Sequence, residues 1–104
     1  MTPSATALRI EGEMSIYRAA ELHDSIKAAL AGVVTGGALE LNLAGVSELD
    51  SSGVQLLMAA KKTAAASQRE LRLVEHSLAV LEVFETLDLT GHFGDPVLMP
   101  AVSA

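Results

Sequence analysis

Apolar and polar residues alternate over three short segments, which predicts three β-strands. The segments are residues 8–11, 39–43 and 71–74. A period of two places apolar side chains on one face of a strand and polar side chains on the other. Strands covered on both faces read as continuous apolar runs instead, so we expect helices mainly on one face of the sheet. Residues 97–99, directly before Pro100, predict a further strand at a sheet edge, where proline is tolerated.

Between these strands, apolar residues recur three or four positions apart, which is typical of helices. The first helix is expected over residues 19–30, ended by Gly36 and Gly37. A second is expected from about residue 52 to 67, in an alanine-rich segment that favours helix. Ser77 predicts the N-cap of a third helix that runs to about Leu87. Strands that alternate with helices indicate an α/β fold.

Composition limits the protein to one domain over residues 1–104, with a core built from Leu, Val, Ile, Ala and Met. Half of its residues are apolar, and it has one tyrosine, two phenylalanines and no tryptophan or cysteine. This length fits a single core. No apolar run approaches the ~18 residues that cross a bilayer, and residues 1–7 show no signal sequence. The pattern predicts a cytoplasmic protein without membrane insertion.

Charge and motif spacing argue against nucleic-acid binding and against catalysis. The formal net charge of −6 opposes binding to phosphodiesters. His23, His76 and His92 lie far apart, so capping or solvent exposure is favoured over metal ligation. Glu48 and Asp50 are interpreted as loop and cap rather than as an acid/base pair. Phosphate-loop and nucleophile-elbow patterns are absent, so we expect no enzyme, no metal and no cofactor.

The tetrapeptide Asp50-Ser51-Ser52-Gly53 is the strongest candidate for function. It follows the predicted strand at residues 39–43 and begins the second helix. The first N–H groups of a helix lack intrahelical partners, and the helix dipole favours negative charge there. Asp and Ser are also ordinary N-cap residues, so capping alone is one interpretation. The other is that a phosphoryl group on one serine would arrive at a site suited to an anion.

With this tetrapeptide between that strand and that helix, the chain resembles STAS domains, which sulfate transporters and bacterial anti-sigma factor antagonists share. The resemblance covers nearly the whole chain: Gly12-Glu13 with the following helix, the strand at 39–43, the tetrapeptide, the segment from 71 to Ser77, residues 80–84 and 87–89, and Phe93. It implies an α/β fold with a small mixed sheet of four to five strands. Three to four helices would pack mainly on one face.

The resemblance also implies roles for the tetrapeptide. In antagonist members the residue directly after the Asp is the phosphoacceptor, which maps to Ser51. Ser52 is then the candidate helix cap, and Gly53 allows close backbone approach. Asp50 is expected to orient the loop or to meet the partner kinase. Together, Asp50, Ser51, Ser52 and Gly53 form the expected partner-binding loop.

The resemblance implies a phosphorylation switch that transmits signals to transcription. Unphosphorylated protein would bind an anti-sigma factor that is also a serine kinase, and would release the sigma factor. Phosphorylation of Ser51 would add roughly −1.5 to −2 charge beside Asp50 and Glu48 and weaken docking. A phosphatase would reset the switch, and we expect a monomer or weak dimer.

A second branch of the family stays open as an alternative. Its members are adaptors that bind the ATPase of a phospholipid ABC transporter or a kinase component of a chemotaxis or two-component system. Residues 13–22 and the alanine-rich helix resemble those adaptors, whereas the Ser51-Ser52 pair favours the antagonists.

Overall fold

The computed structural model describes residues 6–87 and residue 89, in which strands and helices alternate. The elements in chain order are β1 (Thr6–Met14), α1 (Ala19–Ala31), β2 (Ala38–Leu49), α2 (Ser51–Ala66), β3 (Glu70–Val74) and α3 (Leu78–Thr86). The predicted α/β fold is therefore present, with three strands and three helices in the described part of the chain.

The three described strands form a parallel sheet in the order β1-β2-β3. Leu41 of β2 lies in register between Leu8 of β1 and Leu73 of β3. The expectation of a mixed sheet with four to five strands is met only in part, because both described pairings are parallel. The strand predicted at residues 97–99 lies outside the described residues.

One face of this sheet carries the core. Leu39, Leu41 and Leu43 of β2 are fully buried, whereas Glu40 and Asn42, which alternate with them, stay partly exposed. Each helix contributes buried side chains to the same core, with Ile26 from α1, Leu57 from α2 and Phe84 from α3. The period-two pattern of the sequence therefore corresponds to one apolar and one more polar face of the described sheet.

Strand β2 is much longer than predicted, and its extra length positions the Asp50-Ser51-Ser52-Gly53 turn. It pairs with β3 only as far as Asn42, and beyond that point it pairs with β1 alone. Two shifts of register along β1 let β2 insert one extra residue at each of two points. Helix α3 packs against β2, and β2 ends at Leu49, directly before the candidate turn.

Helix α1 spans nearly the predicted residues, but a different glycine ends it. Its last residue is Ala31, and Gly32 forms its C-cap. Gly36 and Gly37 belong instead to the turn that leads into β2, where Gly36 has a φ of +86° and the Gly37 N–H donates to the Val34 carbonyl oxygen. The prediction that this pair ends the helix is wrong, because Gly32 already provides the stop.

Candidate functional site

Asp50 is the N-cap of α2. Its backbone is extended, and its Oδ1 accepts a hydrogen bond from the Gly53 N–H at 3.0 Å. The Asp50 carbonyl oxygen accepts the first intrahelical bond, from Val54. The expectation that Ser52 caps the helix is therefore wrong: α2 begins at Ser51, and Ser52 is its second residue. An Asp three positions before a backbone N–H is well placed to cap it.

Asp50 also ties α2 to the loop between β1 and α1, residues 15–18. Its Oδ2 accepts a hydrogen bond from the Ile16 N–H at 3.3 Å. Its own N–H donates to the Met14 carbonyl oxygen at 3.2 Å. The two segments therefore form one unit. Sequence patterns gave no sign of this contact, because its partners are 34 positions apart.

Gly53 is required by close packing against the strands. A Cβ at this position would lie 2.5 Å from the Met14 carbonyl oxygen and 2.6 Å from Cδ1 of Leu49. Real Cβ atoms essentially never approach other atoms so closely. The close backbone approach expected of Gly53 is present, and it is made to β1 and β2 of the protein itself.

Ser51 carries the most accessible hydroxyl of the turn. It is exposed, whereas Ser52 is half-buried. Within the described residues, the Ser51 hydroxyl forms no hydrogen bond, since Asp50 already caps the helix. As the first two residues of α2, both serines have backbone N–H groups without an intrahelical acceptor. The turn therefore presents a free hydroxyl beside two N–H donors, which suits an anionic group on Ser51.

Arg18 holds the neighbouring loop in place. One guanidinium nitrogen, Nη1, donates to the carbonyl oxygens of Glu11 and Glu13, at 2.6 and 2.9 Å. Gly12 between them has a φ of +86°, which is open to glycine and strained for other residues. The Ser15 hydroxyl donates to the Glu13 carboxylate at 2.8 Å. The loop beside Asp50 is thus fixed by hydrogen bonds at both of its ends.

A shallow groove runs between α3 and the Asp50 turn. It consists of two adjoining depressions of about 450 and 310 Å³ that share Leu49, Asp50, Glu82 and Val83. The other lining residues are Ser15, Ser47, Glu48 and Ala79 at one end and Ser51, Thr86 and Leu87 at the other. The groove therefore has an acidic end and a more apolar end, and Ser51 lies at the apolar end.

The histidines take no part in this groove. His76 is buried, and its ring meets the ring of Phe84 edge to face, with centroids 5.7 Å apart. The expectation of capping or exposure is therefore wrong for His76, which packs in the interior. His23 is half-buried on α1, and His92 lies outside the described residues. In the described part of the chain, no cluster of three His, Asp or Glu side chains could hold a metal ion.

None of the helices within residues 6–87 combines the length and the hydropathy that crossing a bilayer requires.

Comparison with known proteins places this geometry among domains of one family. The family described as "Mlab, STAS domain" matches residues 1–100. The solved structure of the anti-sigma factor antagonist SpoIIAA in its unphosphorylated form has a TM-score of 0.63 and 24% identity, covering 97% of this chain and 84% of that one. A comparison with curated proteins gives no match.

Two transporter proteins share the fold as well. A sulfate transporter family protein from Wolinella succinogenes has a TM-score of 0.67 at 15% identity, covering 88% of this chain and 72% of that one. The STAS domain of a SulP transporter from Vibrio cholerae has a TM-score of 0.65 at 15% identity, covering 94% and 77%. At these identities the likeness shows a common fold.

Proposed function

This chain belongs to the STAS domain family, and we propose that it is a phosphorylatable interaction switch resembling an anti-sigma factor antagonist. STAS domains are generally regulatory or interaction domains rather than enzymes. In the proposed cycle, the unphosphorylated protein binds an anti-sigma factor that is also a serine kinase. Phosphorylation of Ser51 releases it, and a phosphatase restores the first state. The observation that carries the proposal is the exposed Ser51 hydroxyl on a helix start that Asp50 holds in place.

The contacts of the other residues in the turn support Ser51 as the phosphoacceptor. Asp50 caps the helix and Gly53 packs against β1, so both have structural duties. Ser52 is half-buried, whereas Ser51 is exposed and takes no hydrogen bond from the described residues. A kinase can therefore reach Ser51 without first breaking the cap. The N–H groups at the helix start would then stabilise the product.

The electrostatics of the groove explain how phosphorylation would release a partner. A phosphoserine at position 51 adds roughly −1.5 to −2 charge, next to Asp50 and close to Glu82, which lines the same depression. Like-charge repulsion within the surface and the cost of desolvating a phosphate at an interface both disfavour the bound state. A coupling of about 1–3 kcal/mol, which is usual for regulatory switches, changes affinity five- to 150-fold.

The proposed setting is a bacterial cytoplasm, where the kinase binds ATP, transfers its terminal phosphoryl group to Ser51 and releases ADP. The proposed protein is a monomer or weak dimer. The alternative is an adaptor that stays bound to a transporter ATPase or to a chemotaxis kinase component. An adaptor of that kind would keep its partner whatever the state of Ser51. The same measurements therefore separate the two roles.

The test uses the serine kinase encoded nearest to this gene. The full chain is incubated with that kinase and ATP, and peptide mass mapping locates the phosphate. We expect modification of wild-type protein and of Ser52→Ala, and none of Ser51→Ala. Phosphate at another residue, or at none, would contradict the proposed phosphorylation switch.

Affinity for the same kinase completes the test. Ser51→Asp should bind at least about fivefold more weakly than wild type, the lower bound of a regulatory coupling, while Ser51→Ala should bind like wild type. Equal affinities of wild type, Ser51→Ala and Ser51→Asp would favour the adaptor role instead.

A further inference from the structure

Three large apolar side chains stand exposed around the Asp50 turn. Ile16 is 66% exposed, Tyr17 89% and Leu87 52%. Ile16 is bonded through its N–H to Asp50, and Leu87 lines the groove beside Ser51. Tyr17 follows Ile16 and is the only tyrosine of the chain. Exposed apolar groups gathered at one place mark interaction sites, and tyrosine is enriched where interfaces concentrate their binding energy.

These side chains are presented on a backbone that is already ordered. The loop that carries Ile16 and Tyr17 is bonded to Asp50 on one side and is followed by Arg18, which is anchored on β1. Leu87 directly follows the last turn of α3 and donates its N–H to the Val83 carbonyl oxygen. A partner therefore does not have to order this surface, and less of the interaction energy is lost on binding.

The groove beside these apolar groups is acidic. Among the described residues, the groove is lined by three carboxylates, Glu48, Asp50 and Glu82, and by no lysine or arginine. A second copy of this surface would oppose three carboxylates to three carboxylates, which disfavours self-association through it. Nucleic acids and anionic lipids carry the same sign and are disfavoured for the same reason. The charge is complementary to a protein surface that carries lysine or arginine.

We propose that Ile16, Tyr17 and Leu87, together with Glu48 and Glu82, form a docking surface for a protein partner that presents an apolar cluster flanked by lysine or arginine. This inference rests on the proposed function, because it takes the Asp50 turn as the place where the partner binds. The partner's apolar cluster covers the Ser51 end of the groove, and its cationic side chains lie over Glu48 and Glu82.

This arrangement would place a phosphate on Ser51 beneath the apolar part of the partner. Ser51 lies at the apolar end of the groove, among Leu49, Val83 and Leu87. A phosphate there would be buried beneath apolar atoms of the partner and would lose its hydration. Of the carboxylates that attract the partner, Glu48 lines the other depression, whereas Asp50 and Glu82 line both. Release therefore requires that the desolvation cost of the phosphate exceed its attraction to the cationic side chains of the partner.

A random-peptide display library provides the probe. The library is selected on the immobilised full chain, and the tightest peptide is synthesised and measured by fluorescence anisotropy. We expect the selected peptides to combine apolar residues with lysine or arginine, and their binding to weaken as salt is raised. Enrichment of acidic or uncharged peptides, or enrichment equal to that on a chain carrying both Tyr17→Ala and Glu82→Lys, would overturn the proposal.

Matched variants locate the binding. Tyr17→Ala should lower the affinity for the selected peptide by about tenfold, as expected for a central aromatic contact. Val34→Ala should leave this affinity unchanged. Val34 is a suitable control because it is 61% exposed but lies before the start of β2, whereas the Asp50 turn follows the end of that strand.

A second pair of variants tests the charge. Glu82→Lys should weaken binding by about threefold to tenfold, while Glu85→Lys, which makes the same change on α3 outside the groove, should have little effect. Equal affinities within both pairs would contradict the docking surface. Ser51→Asp separates the two proposals: unchanged peptide binding by this variant, with the Tyr17 and Glu82 effects intact, would reject the switch and keep the docking surface.

Discussion

The Asp50 carboxylate accepts a hydrogen bond from the backbone N–H of Ile16, with 3.3 Å between Oδ2 and N. Its second oxygen accepts from the N–H of Gly53, at 3.0 Å. One side chain therefore caps α2 and holds the β1–α1 loop against it. The segment that carries Ser51 and the segment that carries Tyr17 keep a defined relative position for this reason.

Asp50 substitutions should separate these two bonds. Asp50→Ala loses both and should lower the free energy of unfolding by about 1–2 kcal/mol, which is typical for loss of a cap. Asp50→Asn keeps an oxygen for Gly53 and should cost less, because only the bond to Ile16 is lost. Urea unfolding measures the stabilities, and amide hydrogen exchange should quicken at Ile16 in both variants but at Gly53 only in Asp50→Ala. Equal losses in the two variants would show that the Gly53 bond contributes nothing.

Gly53→Ala should destabilise the protein although alanine is the better helix former. The propensity gain is about 1 kcal/mol, whereas the new Cβ would lie 2.5 Å from the Met14 carbonyl oxygen in a fully packed region. We expect a net loss of about 1–3 kcal/mol, as for other overpacked sites. Gly32→Ala is the control, because its nearest atom is the Ala29 carbonyl oxygen at 3.6 Å and its φ of −84° suits alanine. A stable Gly53→Ala protein would remove the packing explanation.

The sequence predicted most of the local structure around this turn, but not all of it. Local periodicity predicted the three described strands, the three helices and the Ser77 cap, where the hydroxyl accepts from the Val80 N–H at 3.2 Å. It did not predict that β2 continues to Leu49, since the pairing with β1 past residue 43 needs two shifts of register. The resemblance assigned the α2 cap to Ser52, and the local pattern could not correct this, because Asp and Ser are all good cap residues.

The hydrogen bond between Asp50 and Ile16 is a tertiary contact, which local sequence patterns do not predict. It depends on how two loops meet at the carboxyl end of a parallel sheet, and no local pattern records it. The same is true of the burial of His76 against Phe84. Sequence reasoning identified the candidate turn, and the tertiary structure supplied the loop and the groove that surround it.

Arg18→Met should loosen the β1–α1 loop. The guanidinium bonds to the Glu11 and Glu13 carbonyl oxygens are lost, and we expect a cost of about 1.5–3 kcal/mol, the usual range for a charged donor. Faster amide exchange over residues 15–17 should accompany the loss. Glu21→Gln is the matched control: it removes only the exposed 3.6 Å ion pair with Arg18, which is worth at most about 1 kcal/mol. Comparable losses from the two variants would place the stabilisation in the ion pair instead.

The pKa of Glu70 should lie below its ordinary value. A hydrogen bond from Arg72, at 3.1 Å between Nη2 and Oε1, lowers the pKa of this exposed carboxyl. Because the pKa of Glu70 is lower in the folded state, its pairing with Arg72 stabilises the protein fully at pH values above the pKa that Glu70 has in the unfolded chain. That contribution is lost as pH falls through the lower, folded pKa.

NMR titration of the Glu70 carboxyl carbon checks this, and Arg72→Met should raise the pKa towards its ordinary value. Lys61→Met should have a smaller effect, since its Coulombic attraction is the smallest of the causes that act on the Glu70 pKa. An unchanged titration in Arg72→Met would remove the assigned cause.

Ser51→Ala should leave stability unchanged within about 0.5 kcal/mol, the usual range for surface substitutions. The Ser51 hydroxyl is exposed and bonds to none of the described residues, whereas the adjoining Asp50 carboxylate accepts two hydrogen bonds. Urea unfolding should therefore show a lower free energy of unfolding for Asp50→Ala and an unchanged one for Ser51→Ala. A large loss in Ser51→Ala would mean that the hydroxyl supports the helix. Position 51 would then be occupied by serine for a structural reason, and the case for a phosphoacceptor there would lose its main support.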